Sequence, residues 1–224
     1  ACDFALEESA ADRAVFVLRD TLETRAQYPF GFMLRVEYAL TPDALAVRLH
    51  VENSGQGALP YACGLHPGFL WRFDGGAKQD YRIVFDAEEA AAVPVIAPGG
   101  LFSRQTRPVR LQGCVLPLSD ELFAREALCF LDARSHGLSF ERVGGAALRV
   151  ELSDFPHIAL WSRPGAPFLS IEAWTGHGDP EDFDGELTDK PSMRLLAPGQ
   201  AASHAARFCL RQSPCAMLGS PRET

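Results

Sequence analysis

Phe168-Leu169-Ser170-Ile171-Glu172-Ala173-Trp174-Thr175-Gly176 decides how this chain is read. Leu169 and Ile171 alternate with Ser170 and Glu172, and a period of two marks a strand. Pro164-Gly165 and Pro167 bound the run on one side and Gly176 bounds it on the other. The strand delivers one acidic residue, set between Ile171 and Trp174. A carboxylate in such company is expected to be part-buried. Desolvation then raises its pKa and suits it to act as a general base. The competing reading is a strand-end glutamate paired with an arginine.

Working outward, the same period recurs. Phe32, Leu34, Val36, Tyr38 and Leu40 share one face of a run whose other face carries Arg35 and Glu37. After Thr41-Pro42-Asp43-Ala44, Leu45, Val47, Leu49 and Val51 point one way and Arg48, His50 and Glu52 the other. Two alternating runs joined by a short turn predict an antiparallel hairpin with one wet face. Further strands are expected at 14–19, 81–85, 109–111, 128–131, 138–140, 148–152, 158–161 and 205–210, separated by Gly, Pro and Asp clusters. Helical signal is thin: Ser119–Glu126 with Ser119 as cap, and Glu88–Ala92. Many short strands with turn punctuation predict an all-β, antiparallel sandwich. No repeat or linker divides the chain, so residues 1–211 read as one domain and 212–224 as a frayed tail.

Composition excludes several classes of function. A net charge of −8 and the lack of a basic stripe argue against nucleic acid as a partner. No apolar run approaches the roughly 18 to 20 residues that a membrane span needs. Ala1-Cys2-Asp3-Phe4-Ala5 has neither the basic start nor the apolar core of an export signal, which predicts a cytoplasmic protein. The six cysteines form no CxxC pair and read as reduced thiols, with Cys129 a small core residue.

The second informative stretch is Tyr61-Ala62-Cys63-Gly64-Leu65-His66-Pro67-Gly68-Phe69. A proline after His66 holds it extended, and glycines on both sides allow close approach of backbone or ligand. A histidine fixed this way can serve as a general acid near neutral pH, or can be a loop histidine with a satisfied hydrogen bond. His157 and His177 are weaker candidates; His50, His136 and His204 read as surface residues. Metal binding is not expected, because no histidines stand in HxH or HxxxH relation. Aligning Gly185 of the acidic loop 179–186 with the glycine of a calcium loop puts Pro180 at the first ligand position, so that loop reads as solvated. There is no G-x-S-x-G elbow and no phosphate-binding glycine loop.

Gly64-Leu65-His66-Pro67-Gly68-Phe69 and Ile171-Glu172-Ala173-Trp174-Thr175-Gly176 together resemble the aldose 1-epimerase (galactose mutarotase) family, in its bacterial mutarotase-like branch. The likeness begins at Thr24-Arg25-Ala26-Gln27-Tyr28-Pro29-Phe30 and runs through Phe155–Phe168 to Glu172. It ends with Glu186-Leu187-Thr188-Asp189-Lys190 and Leu196-Ala197-Pro198-Gly199. The resemblance implies a large antiparallel β-sandwich with an open cleft for a hexose or related aldose, and no cofactor or metal. It implies that His66 is the general acid and Glu172 the general base, facing each other across that cleft. Asp132 is the candidate partner for the sugar hydroxyls. Trp174, Trp71 and Phe69 are aromatic rings that could pack on the sugar's apolar face, with core packing the commoner role for any one of them. The resemblance also implies a further N-terminal segment carrying a second histidine and an arginine, which residues 1–20 do not replace. Unpaired edges and a less covered face at Phe32, Leu34 and Val36 would follow. The expectation is therefore a strand-paired homo-oligomer or a marginally stable chain with weak sugar affinity. A carbohydrate-binding chain without catalysis is the alternative. A glycoside hydrolase accessory domain is less favoured, because hydrolysis needs two carboxylates and only one convincing acid is present.

Overall fold

The alternating runs become neighbouring strands in a computed structural model that describes residues 2–211. Ala5–Ser9 (β1), Arg13–Arg19 (β2), Phe32–Thr41 (β3) and Ala44–Asn53 (β4) form an antiparallel meander. One helical turn, Leu22–Arg25 (α1), joins β2 to β3. It is capped by Thr21, whose side chain accepts from the Thr24 N–H at 3.2 Å. Leu59–Tyr61 (β5), Gly64–Leu65 (β6), Gly68–Leu70 (β7) and Tyr81–Phe85 (β8) follow. Ala92–Ala97 (β9) and Leu101–Pro108 (β10) make a hairpin of their own. Then come Val115–Pro117 (β11), Leu128–Phe130 (β12), Gly137–Arg142 (β13) and Ala147–Ser153 (β14). His157–Trp161 (β15), Phe168–Trp174 (β16), Arg194–Leu196 (β17) and Ala201–Arg211 (β18) complete the described strands.

Nine strands build one large sheet in the order β1-β2-β3-β4-β18-β14-β13-β8-β11. A smaller sheet runs β12-β15-β16, with β6 and β7 both on the free edge of β16. The fold is the expected all-β, antiparallel sandwich. One face of the large sheet contributes Val36, Leu49, Ile83, Phe140 and Val150 to the core. The small sheet answers with Phe130, Ile158, Leu160, Leu169 and Ile171. Each such side chain removed from water stabilises the packing by about 1.5–3 kcal/mol. Between the two sheets, the core therefore fixes which face of β16 is left for chemistry.

Several expectations are corrected. β1 was not foreseen: all five of its residues are exposed, so an edge strand of this kind leaves no alternation to read. The run 109–111 is not a strand; β10 ends at Pro108 and β11 begins at Val115. Residues 88–92 form no helix. Glu89 is instead a buried carboxylate that accepts the N–H groups of Arg134 (3.1 Å) and Ser135 (2.8 Å) and pins a loop. Around Ser119 there is only a 3-10 turn, Asp120–Phe123. The wet face of β3 carries a small apolar cluster after all, because Met33 packs with Val15 and Val17. Phe32 and Leu34 are half-buried and Val36 is buried; the exposed apolar side chains near that end are Phe4, Leu6, Tyr38 and Leu40. The expected tail, 212–224, lies outside the described residues. Among the described residues no helix is long and apolar enough to cross a membrane.

Candidate active site

The register of β16 explains how its acid meets the histidine. β6 pairs Leu65 with Ala173 and Gly64 with Trp174; β7 pairs Gly68 with Ser170 and Phe69 with Leu169. Both strands keep one register along β16, so the intervening His66 falls opposite Glu172 and Pro67 opposite Ile171. Proline has no N–H and interrupts the ladder there, although its carbonyl still accepts from the Ile171 N–H at 3.3 Å. Side chains alternate across a strand. Ser170, Glu172, Trp174 and His66 therefore share the face turned away from the core, while Leu169, Ile171, Ala173 and Phe69 share the other. β15 adds Ala159 opposite Glu172, His157 opposite Trp174 and Trp161 opposite Ser170. Gly64 is required by this packing. A Cβ there would lie 2.7 Å from the Ala173 carbonyl oxygen and 2.8 Å from Trp174 Cδ1.

His66 Nε2 lies 3.0 Å from Glu172 Oε1. The histidine side chain is 63% exposed and the glutamate side chain 4%. His66 and Glu172 are thus cross-strand neighbours in contact on one face, not opposed across a gap, and among the described residues no arginine pairs with the glutamate. Burial pushes the Glu172 carboxyl above the ordinary carboxylate range, and His66, Ser170 and Trp174 oppose that shift by charge and hydrogen bonding. The Ser170 hydroxyl lies 2.9 Å from His66 Nδ1 and donates to the Pro67 carbonyl at 3.1 Å. Trp161 packs edge-on to the imidazole at 6.2 Å. Beside Glu172 on the same face, Cys129 and Ala159 continue its cross-strand row as an apolar patch packed with Phe102. Burial and the nearby Glu172 charge push the Cys129 thiol up to about 12, so it stays protonated.

His66, with Glu172 buried beneath it, borders a cavity of about 340 Å³ lined by Gly64, His66, Trp174, Gly176, His177 and their neighbours. That is the lower end of the range of small-molecule sites. An adjoining apolar cavity of about 330 Å³, lined by Tyr28, Leu34, Leu59 and Met193, shares Ala62 and Cys63 with it but holds no acid–base pair.

Among the predicted binding residues, Trp174 reaches this cavity. Phe69 does not: its strand parity turns it to the core side, where it packs on Phe208 at 5.4 Å. Trp71 is fully buried, against Phe123 and under the Lys78 ammonium. Asp132 stands exposed just beyond β12 in a left-handed conformation (φ 51°). Its N–H donates to His157 Nδ1 at 3.0 Å. His157 is buried, with its ring 5.2 Å from that of His177. His204, read as surface, is buried instead, held between Asp154 (2.9 Å) and the Tyr61 hydroxyl (3.1 Å). The acidic loop is docked as well as solvated: Phe102 N–H donates to Asp179 O at 2.8 Å and Glu181 N–H to Phe102 O at 3.0 Å. Ser170, Trp161 and Ala159 were missed from sequence. Their signal was the parity of β16 and β15 relative to Glu172.

Residues 3–110 match the aldose 1-epimerase family profile. Over 202 residues the chain is 30% identical to protein LacX of Lactococcus lactis, a match covering 88% of this chain and 68% of that protein. A galactose mutarotase related enzyme from Lactobacillus acidophilus superposes with a TM-score of 0.84 at 26% identity, covering 95% of this chain and 72% of that one. A galactose mutarotase-like protein from Lactobacillus casei shares the fold, with a TM-score of 0.84 at 23% identity over 93% of this chain and 73% of that one. With its sheets, its register and these relatives in agreement, the chain belongs to the aldose 1-epimerase family.

Proposed function

We propose that this chain interconverts the α and β anomers of a hexose, with Glu172 as general base and His66 as general acid. The observation that carries the reading is the 3.0 Å contact between a buried carboxyl of raised pKa and an exposed imidazole that lines a cavity of about 340 Å³. The anomeric hydroxyl and the ring oxygen of an aldose are bonded to the same carbon. An acid and a base that are cross-strand neighbours can therefore reach both at once, each within hydrogen-bond distance. Glu172 takes the proton of the anomeric hydroxyl, the bond from the anomeric carbon to the ring oxygen breaks, and His66 gives its Nε2 proton to that oxygen. The aldehyde rotates, and the ring oxygen attacks its other face. His66 recovers its proton from the ring oxygen, and Glu172 returns the other to the new anomeric hydroxyl. Nothing is consumed, and both groups end as they began.

Trp174 offers an apolar wall to the sugar. Polarimetry or NMR exchange on freshly dissolved α-glucose and α-galactose tests the reading. The expected result is equilibration faster than in buffer with at least one of them. Rates equal to buffer for both, with sugar binding retained, would favour a carbohydrate-binding role instead.

A further inference from the structure

We propose that Ser170 is a positioning residue that holds His66 with its proton on Nδ1, leaving Nε2 as the nitrogen that exchanges protons with Glu172 and the substrate. Ser170 is 1% exposed and sits on the same strand face as Glu172, two residues before it. Its Oγ has one proton and several neighbours. The Pro67 carbonyl, 3.1 Å away, can only accept, and Glu172 is a second acceptor within its reach. With the hydroxyl proton given to one of these, the Oγ lone pairs face His66 Nδ1 at 2.9 Å and accept its N–H. A neutral imidazole so held has a bare Nε2, 3.0 Å from Glu172 Oε1. Any proton on that line belongs to an imidazolium or to a protonated Glu172. Both are competent acids, unlike the N–H of a neutral imidazole. Ser170 lies too deep to touch the substrate and acts through the histidine. The other titratable groups lining the His66 cavity are His177 and Cys63. Burial pushes the Cys63 thiol up to about 11, so it is silent at neutral pH.

The inference rests on the acid role of His66 for its consequence but not for its test. Ring ¹⁵N NMR reads the tautomer directly in the full chain, with His66 signals assigned by their loss in His66→Asn. Wild type should show a protonated Nδ1 near neutral pH. Ser170→Ala should shift His66 toward the Nε2–H form. The alanine variant leaves no orphan at Pro67, whose carbonyl keeps the Ile171 N–H. Ser170→Thr keeps the hydroxyl and should restore the wild-type pattern. In anomer exchange, Ser170→Ala should lose about 10- to 100-fold in kcat, by analogy with the hydrogen-bond partners that orient metal-bound histidines. KM should hold, and Ser170→Thr should recover the lost kcat. An unchanged tautomer in Ser170→Ala, or a wild-type His66 protonated on Nε2 alone, overturns the proposal. A tautomer shift in a chain without anomer exchange upholds the role of Ser170 and counts against the proposed function instead.

Discussion

Acid should destabilise this fold through His157, by an amount that can be worked out. His157 opens β15 and is 2% exposed. Its Nδ1 accepts the Asp132 N–H at 3.0 Å, so the ring proton is on Nε2. Burial, with His177 adding to it, pushes the imidazole down to about 4 from 6.5. Protonation would also put a hydrogen on Nδ1 and break the Asp132 bond. The folded chain therefore keeps His157 neutral down to about pH 4, while the unfolded chain takes up the proton below about 6.5. Between those values the unfolded state binds more protons, and stability falls as pH falls. At ~1.4 kcal/mol per pH unit, the loss from pH 7 to pH 4 is about 3 kcal/mol. That is a large part of the ~5–15 kcal/mol that holds a domain together.

The measurement is urea unfolding of wild type and His157→Asn at pH 7, 5.5 and 4. Asparagine can still accept the Asp132 N–H but does not titrate. The other buried titrating groups, His204 and Glu172 among them, are present in both proteins and largely cancel in the difference. Wild type should lose about 3 kcal/mol relative to the variant over this range. A difference that stays constant to within ~0.5 kcal/mol, the ordinary limit of additivity, would refute the reasoning.

Glu172→Gln should reduce anomer exchange by roughly 10²- to 10⁴-fold with the fold intact by circular dichroism, and an unchanged rate would place the base elsewhere. In wild type, where the base must be ionised, the acid limb of the rate profile should lie above the ordinary carboxylate range, as the raised pKa of Glu172 requires. His66→Asn should slow exchange by a similar roughly 10²- to 10⁴-fold factor. Because its side chain is 63% exposed, melting temperature should hardly move. Gly64→Ala should cost about 1–3 kcal/mol by overpacking. The new methyl must displace the indole it meets at 2.8 Å, so a shift in tryptophan fluorescence should accompany the loss.

The strands that were legible are those whose two faces meet different solvents. β3 and β4 alternate because one side packs on the core and the other meets water, and the Thr41↔Ala44 turn closes where Pro42-Asp43 stands. β10 was illegible because β9 is its one strand partner among the described residues, a single bridge from Phe102 to the 179–181 loop aside, and Phe102 is its one buried residue, while Arg104, Gln105 and Thr106 stay wet. His204 was misjudged for the opposite reason: a polar residue can point inward when Asp154 and Tyr61 satisfy both ring nitrogens.

The site was half legible, and the missing half was pairing. His66 and Glu172 each announced themselves by local context, a histidine between glycines before a proline and a carboxylate among apolar neighbours. Nothing in either segment says that they touch, because contact is a property of register between strands 104 residues apart, as the Ser170–His66 separation records. Once the register is known, parity does the rest. It puts Glu172, Ser170 and Trp174 on one face, sends Phe69 to the other, and leaves glycines opposite Ser170 and Trp174. Those two glycines keep the histidine's flanks open. An exposed imidazole can then rest on a buried carboxylate, and in the mechanism we propose it is this inequality of burial that lets a cross-strand pair hold a proton ready for transfer without becoming an inert ion pair.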